Sequence, residues 1–309
     1  MSEYHTPVLL DESVSALIDN PSGLYIDATF GGGGHTAEIL SRLTGKGKVL
    51  AFDRDIDAIG NRLKDERLIL VHNNFRFVRN YVQFYAHTEG TPAEADGILA
   101  DLGVSSHQFD TADRGFSFRF DAPLDMRMNT EAGMTAADLV NTYDAADLER
   151  ILRLYGEVDN PRKMAQLIVA ARTRKPVATT ADLDEALAPC LPKFAEHKVL
   201  AKVYQALRIE VNQEMKSLEK FLEGAARCLK PDGKLVVITY HSLEDRMVKN
   251  FIRTGNVAGE VRQDVYGRTD APLRPVNRKP ILPKEEEIAA NTRARSAKLR
   301  IAQKNPAGR

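Results

Sequence analysis

Tyr25-Ile26-Asp27-Ala28-Thr29-Phe30-Gly31-Gly32-Gly33-Gly34-His35 is the stretch on which the reading of this chain turns. Its first half is mostly apolar with an early acid, the pattern of a short buried strand. Its second half is a run of four glycines, after which helical spacing begins. Glycine lets the backbone pass close to a ligand, and a helix start offers free N–H groups. A strand, a glycine turn and a helix in this order open an α/β unit that binds its ligand beyond the strand's carboxyl end.

Working outward, short apolar runs at 24–29, 48–53, 68–72 and 97–101 read as strands. Helical patterns lie between them at 34–43, 55–64 and 77–86. Alternation of this kind implies right-handed crossovers and a mostly parallel sheet. From 106 to about 202 the strand signal fades. Helical periodicity then dominates 136–155, 161–174 and 180–187, punctuated by Pro176, Pro189 and Pro192. The sheet pattern resumes with a helix at 212–229, a turn at Pro231-Asp232-Gly233, a buried strand at 234–240 and a helix at 242–253. A loop-like stretch covers 255–291, and 296–302 is expected to close the sheet as an edge strand. The expected organisation is an α/β core over 1–105 and 206–309, interrupted by a helical domain at 106–205 that recognises substrate.

Each expected strand ends on residues suited to a ligand. Asp27 and the glycine turn follow the first. Phe52-Asp53-Arg54-Asp55 closes the second, where an acid about 20 positions on suits two ribose hydroxyls. Asn73-Asn74-Phe75 follows the third, and Phe75 is placed to cover an adenine face. Asp101-Leu102-Gly103-Val104-Ser105-Ser106 follows the fourth. Each has a plainer reading: a tight turn, a helix cap at Asp53, a core ring at Phe75. The glycine turn alone leaves two cofactors open, because Gly32-x-Gly34-x-x-Ala37 also satisfies a relaxed dinucleotide fingerprint. The acids favour S-adenosylmethionine, whose ammonium and sulfonium Asp27 and Asp101 would offset. A pyrophosphate would be repelled.

The bulk properties set limits. The chain has 309 residues, 43% hydrophobic and 28% charged, enough for a sizeable core. No apolar run approaches the roughly 20 residues of a membrane span, and the first residues lack a signal-peptide layout, so a cytoplasmic protein is expected. Cys190 and Cys228 stand far apart without a CxxC partner, which suits buried free thiols and gives no reason to expect a metal. Net charge is zero, yet the segment from Arg246 to Arg309 carries 15 Lys/Arg against 6 Asp/Glu. That imbalance fits a phosphate-facing surface or merely a solvated tail. Oligomeric state is not legible.

Longer motifs follow in order. They are His5-Thr6-Pro7-Val8-Leu9-Leu10-Asp11-Glu12, Asp101 to Asp110, Arg114-Gly115-Phe116-Ser117-Phe118 and Pro123-Leu124-Asp125-Met126-Arg127-Met128. Tyr204 to Asn212, His241-Ser242-Leu243-Glu244-Asp245-Arg246 and Arg293 to Arg300 complete the set. From His5 to about Arg300 the chain resembles the MraW/RsmH family, the bacterial 16S ribosomal RNA (cytosine-N4)-methyltransferases. The resemblance implies a class I S-adenosylmethionine-dependent methyltransferase core, Rossmann-like, with an inserted helical domain. It implies methyl transfer to a cytidine amine in the decoding region of 16S rRNA, within the small subunit or its precursor. The cofactor contacts it implies fall on Gly33, Gly34, His35, Asp53, Phe75, Asp101 and Gln108. Two departures are visible. His107 stands where the family pattern has proline, and Thr292 replaces the proline before Arg293-Ala294-Arg295-Ser296.

The implied reaction needs an unpaired base and an acceptor for the amine's N–H bonds. Asp101 is the candidate catalytic residue, between cofactor and amine. Phe116 and Phe118 are candidates to stack on the base or to pack the insert. Asp125 and Arg127 are candidates for the same wall, as an ion pair or on RNA. His241 either faces the crevice or caps the helix that follows it. Arg293, Arg295, Lys298 and Arg300 are candidate phosphate contacts, the last two on one strand face.

Overall fold

The computed structural model describes residues 7–262 and 271–306. His5 and Thr6 of the first long motif lie outside them. The described chain forms two compact units. One joins the residues up to Gly103 with those from Met215 on, and the other is Val104–Glu214. The sequence reading set the second break about nine positions earlier, at 205–206.

The first unit carries α1 (Leu10–Leu17), β1 (Leu24–Asp27), α2 (Gly34–Arg42), β2 (Lys48–Asp53), α3 (Ile56–Ile59), β3 (Leu68–His72), α4 (Val78–Glu89) and β4 (Ala95–Asp101). After the second unit come α11 (Glu214–Cys228), β5 (Leu229–Thr239), α12 (Ser242–Thr254), β6 (Leu273–Pro275), α13 (Glu285–Ala290) and β7 (Lys298–Lys304). The strands form one sheet ordered β3-β2-β1-β4-β5-β7-β6. The first five are mutually parallel, and β7 runs antiparallel to both of its neighbours.

The central strands are buried on both faces, which is why they read as unbroken apolar runs. Ile26, Leu50, Ile98 and Leu235 point to one face and pack with Val78 and Val82 of α4, Phe221 and Leu222 of α11 and Val248 of α12. Tyr25, Val49, Leu99 and Val236 point to the other and pack with Val14 and Leu17 of α1 and Ile39 of α2. The two sets differ by one residue in each strand, the alternation a pleated strand imposes.

Several expectations change. Only Ile56–Ile59 of the 55–64 helix forms, and Gly60 follows as its C-cap. The turn at Pro231-Asp232-Gly233 is absorbed as an irregularity within β5, with Asp232 at φ +64°. The strand expected at the edge, β7, lies inside the sheet, and the edge is β6 in the stretch read as loop. Of the two cysteines, Cys228 is buried but Cys190 is only half-buried. No helix among the described residues is long and apolar enough to cross a membrane.

The second unit is helical: α5 (Ser106–Asp110), α6 (Ala136–Thr142), α7 (Ala145–Leu154), α8 (Pro161–Arg172), α9 (Thr180–Leu187) and α10 (Glu196–Asn212). The expected 136–155 helix is split at Tyr143-Asp144, because Asp144 caps α7 by accepting from the Asp147 N–H. Leu139, Leu148, Ile151, Ile168, Leu183 and Val203 form its core.

Candidate active site

Strand order in a doubly wound sheet reverses direction at one place, and ligands sit beyond the carboxyl ends there. In this sheet the reversal lies between β1 and β4. Those two strands end on Asp27 and Asp101.

Asp27 is fully enclosed. Its carboxylate accepts the Thr36 hydroxyl at 2.6 Å and the Thr29 N–H at 3.0 Å, so it braces the glycine turn against the start of α2. Burial pushes it up to about 7, opposed by the Thr36 and Thr29 hydrogen bonds. Enclosed in this way, it could act on a ligand only through its field and not by contact.

Asp101 is partly open. Its Oδ1 accepts the Tyr240 hydroxyl at 2.8 Å, and its N–H donates to the Thr29 hydroxyl at 2.7 Å. Burial is the main cause that lifts it to about 7, with Asp27 and Glu244 adding repulsion. His35 Nδ1 lies 3.8 Å from Asp101 Oδ2. Burial depresses His35 to about 4, so at neutral pH this is no ion pair. The buried Nε2 of His35 has no hydrogen-bond partner among the described residues.

Asp53 accepts the Gly31 N–H at 2.8 Å and the Asp55 N–H at 2.9 Å, one bond on each oxygen. Each oxygen keeps a lone pair. The cap of α3 is Asp55, which disposes of the plainer reading of Asp53. Phe75 sits half-buried in a short 3-10 turn with its ring edge-on to Phe221, centroids 5.2 Å apart. A wall packed on one side and open on the other suits a flat ring.

The glycines differ in what they do. Gly33 is the N-cap of α2 at φ +78°, and a Cβ there would meet the Phe30 ring at 2.9 Å. A Cβ on Gly34 would meet Pro7 at 2.2 Å. Gly31, at φ +52°, faces open space, so a side chain there would stand where a ligand can lie. No side chain caps α2, which leaves its first N–H groups available to an anion.

This unit therefore brings together Asp27, His35 and Asp101 and, beside the glycine turn, Asp53. Tyr240, Thr29 and Thr36 were not foreseen. Their signal was position: Tyr240 directly follows β5, the neighbour of β4. His241 caps α12, its Nδ1 accepting from the Glu244 N–H at 3.4 Å, while its Nε2 stands 3.0 Å from Glu244 Oε1.

The remaining candidates belong to the second unit. Gln108 is buried and closes a capping box with Ser105 at the start of α5. Phe116 is buried in the helical core, the packing alternative. Phe118 stacks on His197 at 5.6 Å and meets Tyr204 edge-on. Arg127 forks onto Asp125 at 2.9 and 2.7 Å, the ion-pair alternative.

A five-stranded parallel core with an antiparallel strand inserted beside its fifth, a glycine turn after the first strand and acids closing β1, β2 and β4 define a class I methyltransferase. Its methyl donor is S-adenosylmethionine, and the residues fit it: Asp27 and Asp101 without a Lys or Arg partner among the described residues, a neutral buried imidazole with an orphaned nitrogen, and uncapped helix N–H groups. The chain belongs to the MraW methylase family, whose model matches residues 2–305. It is 56% identical over 97% of both chains to the ribosomal RNA small subunit methyltransferase H of Bacteroides fragilis (strain YCH46). The protein of the same name from Flavobacterium johnsoniae is 52% identical over 98% of both.

Proposed function

We propose that this protein transfers the methyl group of S-adenosylmethionine to the exocyclic N4 of a cytidine. The cytidine lies in the decoding region of 16S rRNA, within the small ribosomal subunit or its precursor in the cytoplasm. The observation that carries the chemistry is Asp101 at the sheet's reversal point, fixed by Tyr240 and flanked by neutral His35. The rRNA substrate is supported by the near full-length identity to relatives that bear that name.

The N4 lone pair is delocalised into the ring, so the amine is a poor nucleophile. Most of the rate must come from alignment and from stabilising positive charge on nitrogen. Bound S-adenosylmethionine supplies an electrophilic methyl on a sulfonium. The α2 N–H groups from Gly34 and His35 would hold its carboxylate, Asp53 its ribose hydroxyls and Phe75 its adenine. Asp101 would accept an N–H bond of the amine, and Gln108 would complete the cofactor contacts. The insert 106–205 would present the base, with Phe118, Asp125 and Arg127 nearer the RNA than buried Phe116. His241 would serve by anchoring α12.

Mass spectrometry of nucleosides from treated small-subunit RNA tests the proposal. The expected product is N4-methylcytidine. Methylation on a ring carbon or on the ribose, or no methylation, would reject it.

A further inference from the structure

We infer that the second unit carries a single-stranded RNA docking surface built from two short segments, 118–120 and 193–198, with Phe194 and His197 as stacking platforms. The inference rests on the rRNA substrate proposed above and goes further by naming where that RNA is held.

The segments meet at the stack of Phe118 on His197, 5.6 Å between centroids with 16° between ring planes. Tyr204 supports Phe118 edge-on at 5.5 Å, and its hydroxyl donates to Asp184 at 3.2 Å, so the platform is fixed from beneath. Around it the chain exposes rings that folding alone would bury. Phe194 is 102% exposed and Phe120 50% exposed. One exposed ring is ordinary, but Phe194 and Phe120 flank a partly exposed ring stack, and a cluster of that kind marks a contact surface.

The flanking charges say what covers it. Arg119, Lys193 and Lys198 are exposed and belong to no ion pair among the described residues. The acids within and beside these segments have local uses. Asp121 accepts the Ala181 N–H at 3.4 Å, and Glu196 sits in the first turn of α10, where the helix dipole favours it. Exposed rings interleaved with unpaired cations fit a strand of bases stacked on π-faces with phosphates between. By contrast, the strand cations Lys298 and Arg300 are both drawn to Asp245, at 3.6 and 2.7 Å.

The test uses the full-length protein and isolated small-subunit RNA. Phe194→Ala removes a side chain that touches no core, and Lys193→Glu with Lys198→Glu reverses two charges. Binding is titrated over a range of salt, with S-adenosylmethionine affinity measured beside it. The expected result is RNA affinity about tenfold lower for Phe194→Ala at unchanged cofactor affinity. The double variant should show a salt dependence shallower by roughly one to two. Parental affinity and slope in both variants would overturn the surface. Variants that bind naked RNA normally but fail only on the assembled particle would also overturn it, pointing to a protein contact instead. A parent protein that yields no methylated RNA would reject the proposed function, while the binding titration would still judge the surface.

Discussion

The Tyr240 hydroxyl donates to Asp101 Oδ1 at 2.8 Å, tying the ends of β4 and β5 across 139 positions of chain. The bond favours the carboxylate form of a group that burial pushes toward neutrality. Tyr240→Phe should therefore lower turnover by about tenfold, in line with a hydrogen bond to a charged group of roughly 1.5–3 kcal/mol. It should also move the acid limb of the pH–rate profile to higher pH. A profile that drops in height without moving would mean that Tyr240 holds structure and not charge.

Asp53 has two structural bonds as well as its outward lone pairs. Asp53→Ala should weaken S-adenosylmethionine binding by at least about tenfold, since a buried ribose hydroxyl pair loses its acceptor. Calorimetry on the variant checks this, and cofactor-free melting separates the ribose contribution from loss of the Gly31 brace. Parental affinity would remove Asp53 from the cofactor site.

Protonation offers a third check. Asp27 and Asp101 are both pushed up to about 7 by burial, from an ordinary value of 3.8. Between about pH 4 and 7 the folded cofactor-free protein keeps protons that the unfolded chain has released, so its stability falls as pH rises through that window. Asp27→Asn should flatten that slope in denaturant titrations. A cationic ligand favours the carboxylates, so binding below about pH 7 should release protons and tighten as pH rises. Binding heats that do not vary with the buffer's ionisation enthalpy would show that the carboxylates do not sense the ligand's charge.

Arg300 is enclosed and forked onto Asp245 of α12, with Lys298 nearby on the same strand face. Removing the acid leaves a largely buried guanidinium uncompensated. Asp245→Asn should destabilise the fold by about 3 kcal/mol, read from denaturant midpoints. Unchanged stability would mean that Arg300 finds water readily, and would return it to the candidates for phosphate contact.

The parts of this molecule legible in the sequence were those set by local chemistry. β2 and β3 begin and end where short apolar runs and their flanking polar residues put them, so β2 closes on Asp53 as expected. What was hidden depends on distant pairings. Nothing near Tyr240 says that its neighbour strand ends on Asp101, because β4 and β5 are separated by the whole second unit. The helix α10 was missed because a motif and an assumed boundary were both read through its middle. The edge strand β6 is three residues long and ends on Pro275, too short to show any period. Gly31 hid among four equal letters. Packing distinguishes it from two of them, since a Cβ on Gly33 or Gly34 would meet Phe30 or Pro7 while one on Gly31 would meet open space.

Of the seven strands among the described residues, β7 is the last to leave the ribosome, yet it lies between β5 and β6. Until it emerges, β5 presents a long apolar edge of the kind that recruits other chains. During synthesis the protein is thus exposed to misassembly until β7 has left the ribosome. Truncation before Lys298 should yield an aggregating product rather than a weakened enzyme.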